Sequence, residues 1–191
     1  MKKSIFISFL ALILFQACTK SEVQIENEIQ IKDEVQIPTL DSSNFTCLDI
    51  NETDVISNDC VGWDCNFKLI HRAAVDINEY EGEANGDKNV FQMVYDNQGL
   101  LGGVDYETKN ILVFELDESQ NSFSVTDGDL EGMRAHYRRI CYCNETEFKP
   151  VSLGCIEGEK QSDGTWLIQG NVKVSYSFGD FDIKFDAQFA N

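Results

Sequence analysis

Three of the chain's four arginines fall within six positions, Arg134, Arg138 and Arg139, with His136 between them. Guanidinium groups hold a carboxylate, sulfate or phosphate through paired N–H donors. This run is therefore the first candidate ligand site, suited to an acidic group. Its competing use is structural, because 33 Asp and Glu face only 15 Lys and Arg and supply ample partners. A second set of residues is oxygen-rich. Glu79, Glu81, Glu83, Asn85 and Asp87 alternate through Gly82 and Gly86, and Asp127, Asp129, Glu131 and Gly132 begin like a calcium-binding EF-hand loop. Such a loop closes on a bidentate acid at its twelfth position. Arg138 stands there instead, so an EF-hand is excluded and only a looser calcium site is left open. No G-x-S-x-G, phosphate loop or H-E-x-x-H is present. His71 falls on the apolar side of its segment, the place of a core residue rather than a base. A pair of carboxylates of the glycosidase kind stays open as an alternative. No cofactor is implied.

Cysteine carries the other chemistry. There are seven: Cys18, Cys47, Cys60, Cys65, Cys141, Cys143 and Cys155. An odd count leaves one thiol over in an exported protein. Setting Cys18 aside leaves six, which read as up to three disulfides in an oxidising compartment. Three lie in an early cluster and three in a late one, so if all six pair at least one bridge joins the clusters. Zinc bound by Cys60, Cys65, Cys141 and Cys143, with His71 or His136, is the competing reading. The C-x4-C and C-x-C spacings do not favour it.

Cys18 has its own context. Lys2 and Lys3 precede an apolar run from Ile5 to Phe15, and Ala17 stands just before the cysteine. The run is shorter than the roughly 20 residues needed to span a bilayer and has the order of a secretory signal. This start resembles a bacterial lipoprotein precursor with a relaxed lipobox, Phe15 and Gln16 replacing the usual Leu and small residue. The resemblance covers about the first twenty residues. It implies a signal peptide at 1–17 and a diacylglycerol thioether on Cys18. Two or three acyl chains make such an attachment stable. Thr19-Lys20-Ser21-Glu22 resembles the short signals that send lipoproteins to the outer face of the outer membrane; the periplasmic face is the alternative. Attachment would have to come from the lipid, because a net charge of −18 repels nucleic acid and anionic headgroups. Loss of Lys2 and Lys3 would make the chain more acidic still.

These residues need elements to position them. Residues 18–43 read as a polar tether. Within it Glu22-Val23-Gln24-Ile25, Glu28-Ile29-Gln30-Ile31 and Glu34-Val35-Gln36-Ile37 recur every six residues with a strand period. Residues 44–191 suffice for one domain. Short alternating runs, two prolines and frequent Gly, Asn and Asp predict an all-β fold. The expected architecture is an antiparallel β-sandwich or open barrel, stapled by disulfides, with at most one short helix. Phe67 to Ile77 predicts a strand with Phe67, Leu69, His71, Ala73, Val75 and Ile77 on one face. Val90 to Tyr95 and Ile111 to Leu116 are apolar on both faces and should be central. The spacing of Leu130, Met133, Tyr137, Ile140 and Cys141 predicts a helix over 129–141, with acids at its start and arginines at its end. A hairpin turning at Gly179-Asp180 would pair Phe178 with Phe181, Tyr176 with Ile183, Val174 with Phe185 and Val172 with Ala187. Lys173 would then meet Asp186, and Gly170, opposite Phe189, would mark a bulge.

The function expected from this reading is a lipid-anchored, non-catalytic β-domain that binds a protein or glycan partner. Its rivals are a small carboxylate-based hydrolase and an accessory subunit of an outer-membrane complex. An exposed aromatic patch favours binding; a cleft holding two acids favours the hydrolase.

Overall fold

The computed structural model describes residues 47–48, 54–60, 64–97, 108–141 and 144–191. Cys18, the expected signal segment, the hexapeptide repeat and Cys143 lie outside the described residues. Strands β1 (Ile56–Ser57), β10 (Gly179–Phe189), β9 (Trp166–Tyr176), β8 (Leu153–Lys160) and β5 (Ser122–Thr126) form the first sheet in that order. The second runs β2 (Asp64–Val75), β3 (Glu83–Asn97), β4 (Thr108–Asp117), β6 (His136–Ile140) and β7 (Lys149–Pro150). The two sheets pack as a β-sandwich. Pairing is antiparallel except at β1, which lies parallel to β10. Beyond β10 the Leu69 N–H donates to Ala190 O at 2.7 Å and ties the second sheet's edge to the first.

The expected central strands are central. Strand alternation sends Phe91, Met93, Leu112 and Phe114 between the sheets, against Ile156, Trp166, Ile168, Val172, Phe185 and Phe189. Phe91 stacks on Phe114 at 5.1 Å and takes the edge of Trp166 at 5.3 Å. Such pairs add about 0.5–1.5 kcal/mol each beyond their buried area. Val90, Ile111 and Val113 point the other way and form a second core with Ala73, Val75 and Phe148.

That second core exists because β2 does not keep one face. Its register slips between His71 and Ala73, with Arg72 in the left-handed region at φ 55°. The extra residue reverses the alternation, as bulges do. Leu69 therefore enters the main core, whereas Ala73 and Val75 enter the second. His71 is exposed and hydrogen-bonds Asn89 Oδ1 at 2.6 Å. Ile77 is exposed as well. Both depart from the single apolar face read from the sequence. Gly86 is required opposite the slip: a Cβ there would collide with the Ala73 backbone.

The expected helix over 129–141 is absent. A 3-10 turn spans Asp127–Glu131, Arg134 takes φ 49°, and the chain then continues as β6. The apolar spacing is satisfied differently: Leu130 is buried from the turn, Met133 from the loop and Tyr137 from the strand.

The β9–β10 hairpin has the expected faces and a different register. Val174 lies opposite Phe181, Val172 opposite Ile183, Gly170 opposite Phe185 and Trp166 opposite Phe189. Each partner moves by four residues, an even number, so the same side chains stay inward. The turn is Ser177-Phe178 rather than Gly179-Asp180. Gly170 explains the choice. There is no bulge there; the Phe185 ring lies where a Cβ at position 170 would sit. Lys173 accordingly faces Asp182, and its Nζ pairs with Asp180 at 3.4 Å rather than with Asp186.

Cys47 pairs with Cys155, joining the early and late clusters, and Cys60 pairs with Cys65; their Cα separations are 5.7 and 5.9 Å. Cys141 is also disulfide-bonded. With Cys60, Cys65 and Cys141 all disulfide-bonded, the zinc reading loses three of its four thiolates.

Candidate functional site

The arginine run is distributed, not gathered. Strand alternation along β6 puts Arg138 on the outer face and Tyr137 and Arg139 on the inner one. The Arg138 guanidinium stands 5.2 Å from the Tyr80 ring and 5.5 Å from that of Phe148. Its Nε donates to Thr146 O at 2.6 Å and Nη1 to Tyr80 O at 3.1 Å. Arg134, in the loop before β6, reaches Glu115 Oε2 at 3.5 Å. His136 Nδ1 donates to Arg134 O at 2.9 Å. Each of these side chains contacts the domain's own groups, and alternation along β6 sends Arg138 and Arg139 to opposite faces.

Arg139 belongs to a different assembly at the end of the sandwich. Tyr95, Asn110, Tyr137, Arg139 and Tyr176 meet there. The Tyr137 hydroxyl donates to Asn110 Oδ1 at 2.7 Å. That proton is then committed, so at the 3.3 Å contact between the two hydroxyls Tyr95 is the donor. Arg139 Nη1 donates to the same Asn110 oxygen at 3.4 Å, and its backbone N–H to the Tyr176 hydroxyl at 3.2 Å. Tyr176 donates in turn to Tyr137 O at 3.2 Å. Burial holds the Tyr95 phenol well above its ordinary pKa, raises that of Tyr137, and pushes Tyr176 up to about 12. The phenols stay protonated at neutral pH, so the network positions its neighbours and offers no base.

Its outward side is aromatic. The Phe178 ring, in the β9–β10 turn, lies 5.3 Å from that of Tyr176 with planes at 29°, and Phe181 stands edge-on to both at 5.8 Å. Arg139 covers Phe181 at 4.7 Å and Lys149 approaches Tyr176 at 5.9 Å. Phe178 remains 46% exposed. Polar groups fix the rim. Lys149 pairs with Glu147 at 2.8 Å and Glu145 at 3.1 Å. Glu145 accepts the Ser177 N–H at 2.6 Å, and this bond, with Lys149, holds its carboxyl down to about 2. Asp180 accepts from the Ser175 hydroxyl at 2.7 Å.

The oxygen-rich segments are used internally. Glu81 pairs with Lys109 at 3.4 Å, Glu83 accepts from Gln92 Nε2 at 3.2 Å, and Asp127 Oδ1 accepts the Gly154 N–H at 3.0 Å. No group of three or more Cys, His, Asp or Glu among the described residues is arranged to hold a metal. Two carboxylates do share a sheet face: Glu157 on β8 and Asp186 on β10 flank Gln169 on β9. Glu157 is 4% exposed and accepts the Cys47 N–H at 2.5 Å, while Asp186 accepts from Gln169 at 3.0 Å. Glu157 lies beside the chain at Cys47. A groove of about 220 Å³ lined by Lys88, Glu115, Asp117 and Met133 sits toward the other end of β3 and β4. There the Lys88–Asp117 pair crosses between strands.

The aromatic turn was missed in the sequence because the hairpin register placed Phe178 on the core face. Its one sequence signal is that Tyr176, Phe178 and Phe181 surround a glycine, Gly179. No protein-family model, curated protein or solved structure matches this chain.

Proposed function

We propose that the protein is a lipid-anchored binding module of the bacterial cell envelope, held at Cys18 and presenting the β9–β10 turn to a partner. One observation carries the binding reading. A large aromatic side chain, Phe178, stays exposed on a base of Tyr176 and Phe181 that the buried Tyr137–Asn110–Arg139 network immobilises. Exposed aromatic side chains on rigid supports bind well because little conformational entropy is lost on contact. The disulfide-bonded state of Cys47, Cys60, Cys65, Cys141 and Cys155 supports an oxidising compartment. The anchor and the outer-membrane location, surface-exposed or periplasmic, rest on the resemblance of the first twenty residues to a lipoprotein precursor.

Two experiments test this. Mass spectrometry of the N-terminal peptide is expected to find acyl chains on Cys18; an unmodified or disulfide-bonded Cys18 removes the anchor. Cross-linking on intact cells, followed by affinity capture, is expected to recover a partner from the wild type. Phe178→Ala should lose it, and equal recovery from both would remove the turn as the binding surface.

A further inference from the structure

We infer that the ligand taken at the β9–β10 turn is an uncharged saccharide, an inference that rests on the binding reading above. The first argument is size. The open apolar surface is one phenyl face, Phe178, because Tyr176 is buried and Phe181 half-buried beneath it. Stable protein partners cover about 800 Å² on each side, far more than one ring presents. A pyranose has the size of that ring. One of its faces carries C–H bonds of slight positive charge, which suit the negative face of an aromatic.

The second argument is charge. Lys149 is neutralised by Glu145 and Glu147, and Lys173 by Asp180. Arg139 meets no carboxylate in an ion pair among the described residues, and its guanidinium is spread over Phe181 and Asn110. Around this balanced rim the chain carries a net charge of −18, which opposes an approaching polyanion. The arginines read from the sequence as a grip for acidic groups each contact groups of the domain itself. An uncharged sugar meets no such repulsion. The third argument is the rim's chemistry. Glu147, Asp180, the Lys149 ammonium and the Arg139 guanidinium, held by internal bonds, supply acceptors and N–H donors for hydroxyl groups. Fixed donors and acceptors around an apolar centre are the usual form of a small-ligand site.

The test uses the full-length chain in detergent and NMR-monitored titration. Its probes are neutral hexaoses of glucose, mannose, galactose, xylose and N-acetylglucosamine, with a hexamer of galacturonate as the charged control. At least one neutral hexaose should bind and shift the Phe178 and Tyr176 ring resonances. Phe178→Ala should weaken that binding tenfold or more at an unchanged melting temperature, and Phe178→Trp should keep it. Stronger binding of galacturonate than of every neutral probe would overturn the inference. So would the absence of any neutral binding while Phe178→Ala still loses the partner cross-linked on cells; that result spares the binding reading. Unchanged cross-linking and unchanged saccharide binding in Phe178→Ala would overturn both.

Discussion

Arg138 and Arg139 are adjacent in sequence, yet strand alternation sends them to opposite faces of β6. Each rests on an aromatic ring that the sequence did not place beside it, Phe148 or Tyr80 for one and Phe181 for the other. Residue type was legible; residue company was not, because company depends on pairing between distant strands. Tyr137 illustrates the energetic side. Its hydroxyl is fully buried, donates to Asn110 and accepts from Tyr95. Tyr137→Phe removes that donor and that acceptor, which costs about 1–3 kcal/mol when the remaining groups stay buried. Urea unfolding should show this loss; a change under about 0.5 kcal/mol, the low end for a net hydrogen bond, would mean the network is solvated. Glu145 sets a pH dependence. Its carboxyl is held down to about 2 in the fold, chiefly by the Ser177 N–H, against an ordinary value of 4.5. A depressed acid stabilises the folded state above its unfolded pKa and loses that contribution as pH falls through the folded value. The melting temperature should therefore fall between pH 4.5 and about 2, and Glu145→Gln should make that fall shallower. An identical profile in the variant would remove Glu145 from the account.

At the scale of elements, period-two patterning located the central strands and the inward face of the last hairpin. It could not fix the hairpin register, because a shift by an even number leaves every side chain on the same face. The deciding residue was Gly170, whose missing side chain admits the Phe185 ring. Gly170→Ala should cost about 1–3 kcal/mol by overpacking, checked by chemical denaturation; a neutral result would show that the ring can move aside. The helix expected over 129–141 failed for a related reason. A 3-10 turn, a loop and a strand buried Leu130, Met133 and Tyr137, three of the five residues that a helix would have buried. The β2 bulge was illegible because its key residue is an exposed arginine, Arg72, at φ 55°. Left-handed backbone costs a non-glycine residue about 1–3 kcal/mol. Arg72→Gly is therefore expected to hold or raise the melting temperature, and Arg72→Ile to lower it. The opposite order would mean that the bulge is not held in that conformation.

At the scale of the whole molecule, an acidic chain must offset its own repulsion, and covalent closure does part of that work. The cysteine count made a disulfide framework legible, and the three-and-three clustering required a bridge between the halves if all six pair; sequence alone gave no connectivity. Cys47–Cys155 spans a sequence separation of 108, and Cys60–Cys65 one of 5. Restricting the unfolded chain over roughly a hundred residues is worth about 4.7 kcal/mol, against about 2 for a loop of five. The long bridge also holds Cys47 where its N–H reaches Glu157, the buried carboxylate of β8. Breaking that bridge leaves Glu157 short of a donor and adds to the loss. Cys47→Ser with Cys155→Ser should therefore lower the urea midpoint well below that of Cys60→Ser with Cys65→Ser. Equal midpoints would show that the bridge's contribution is not loop closure and that the Cys47 segment is held on the sheet by other contacts.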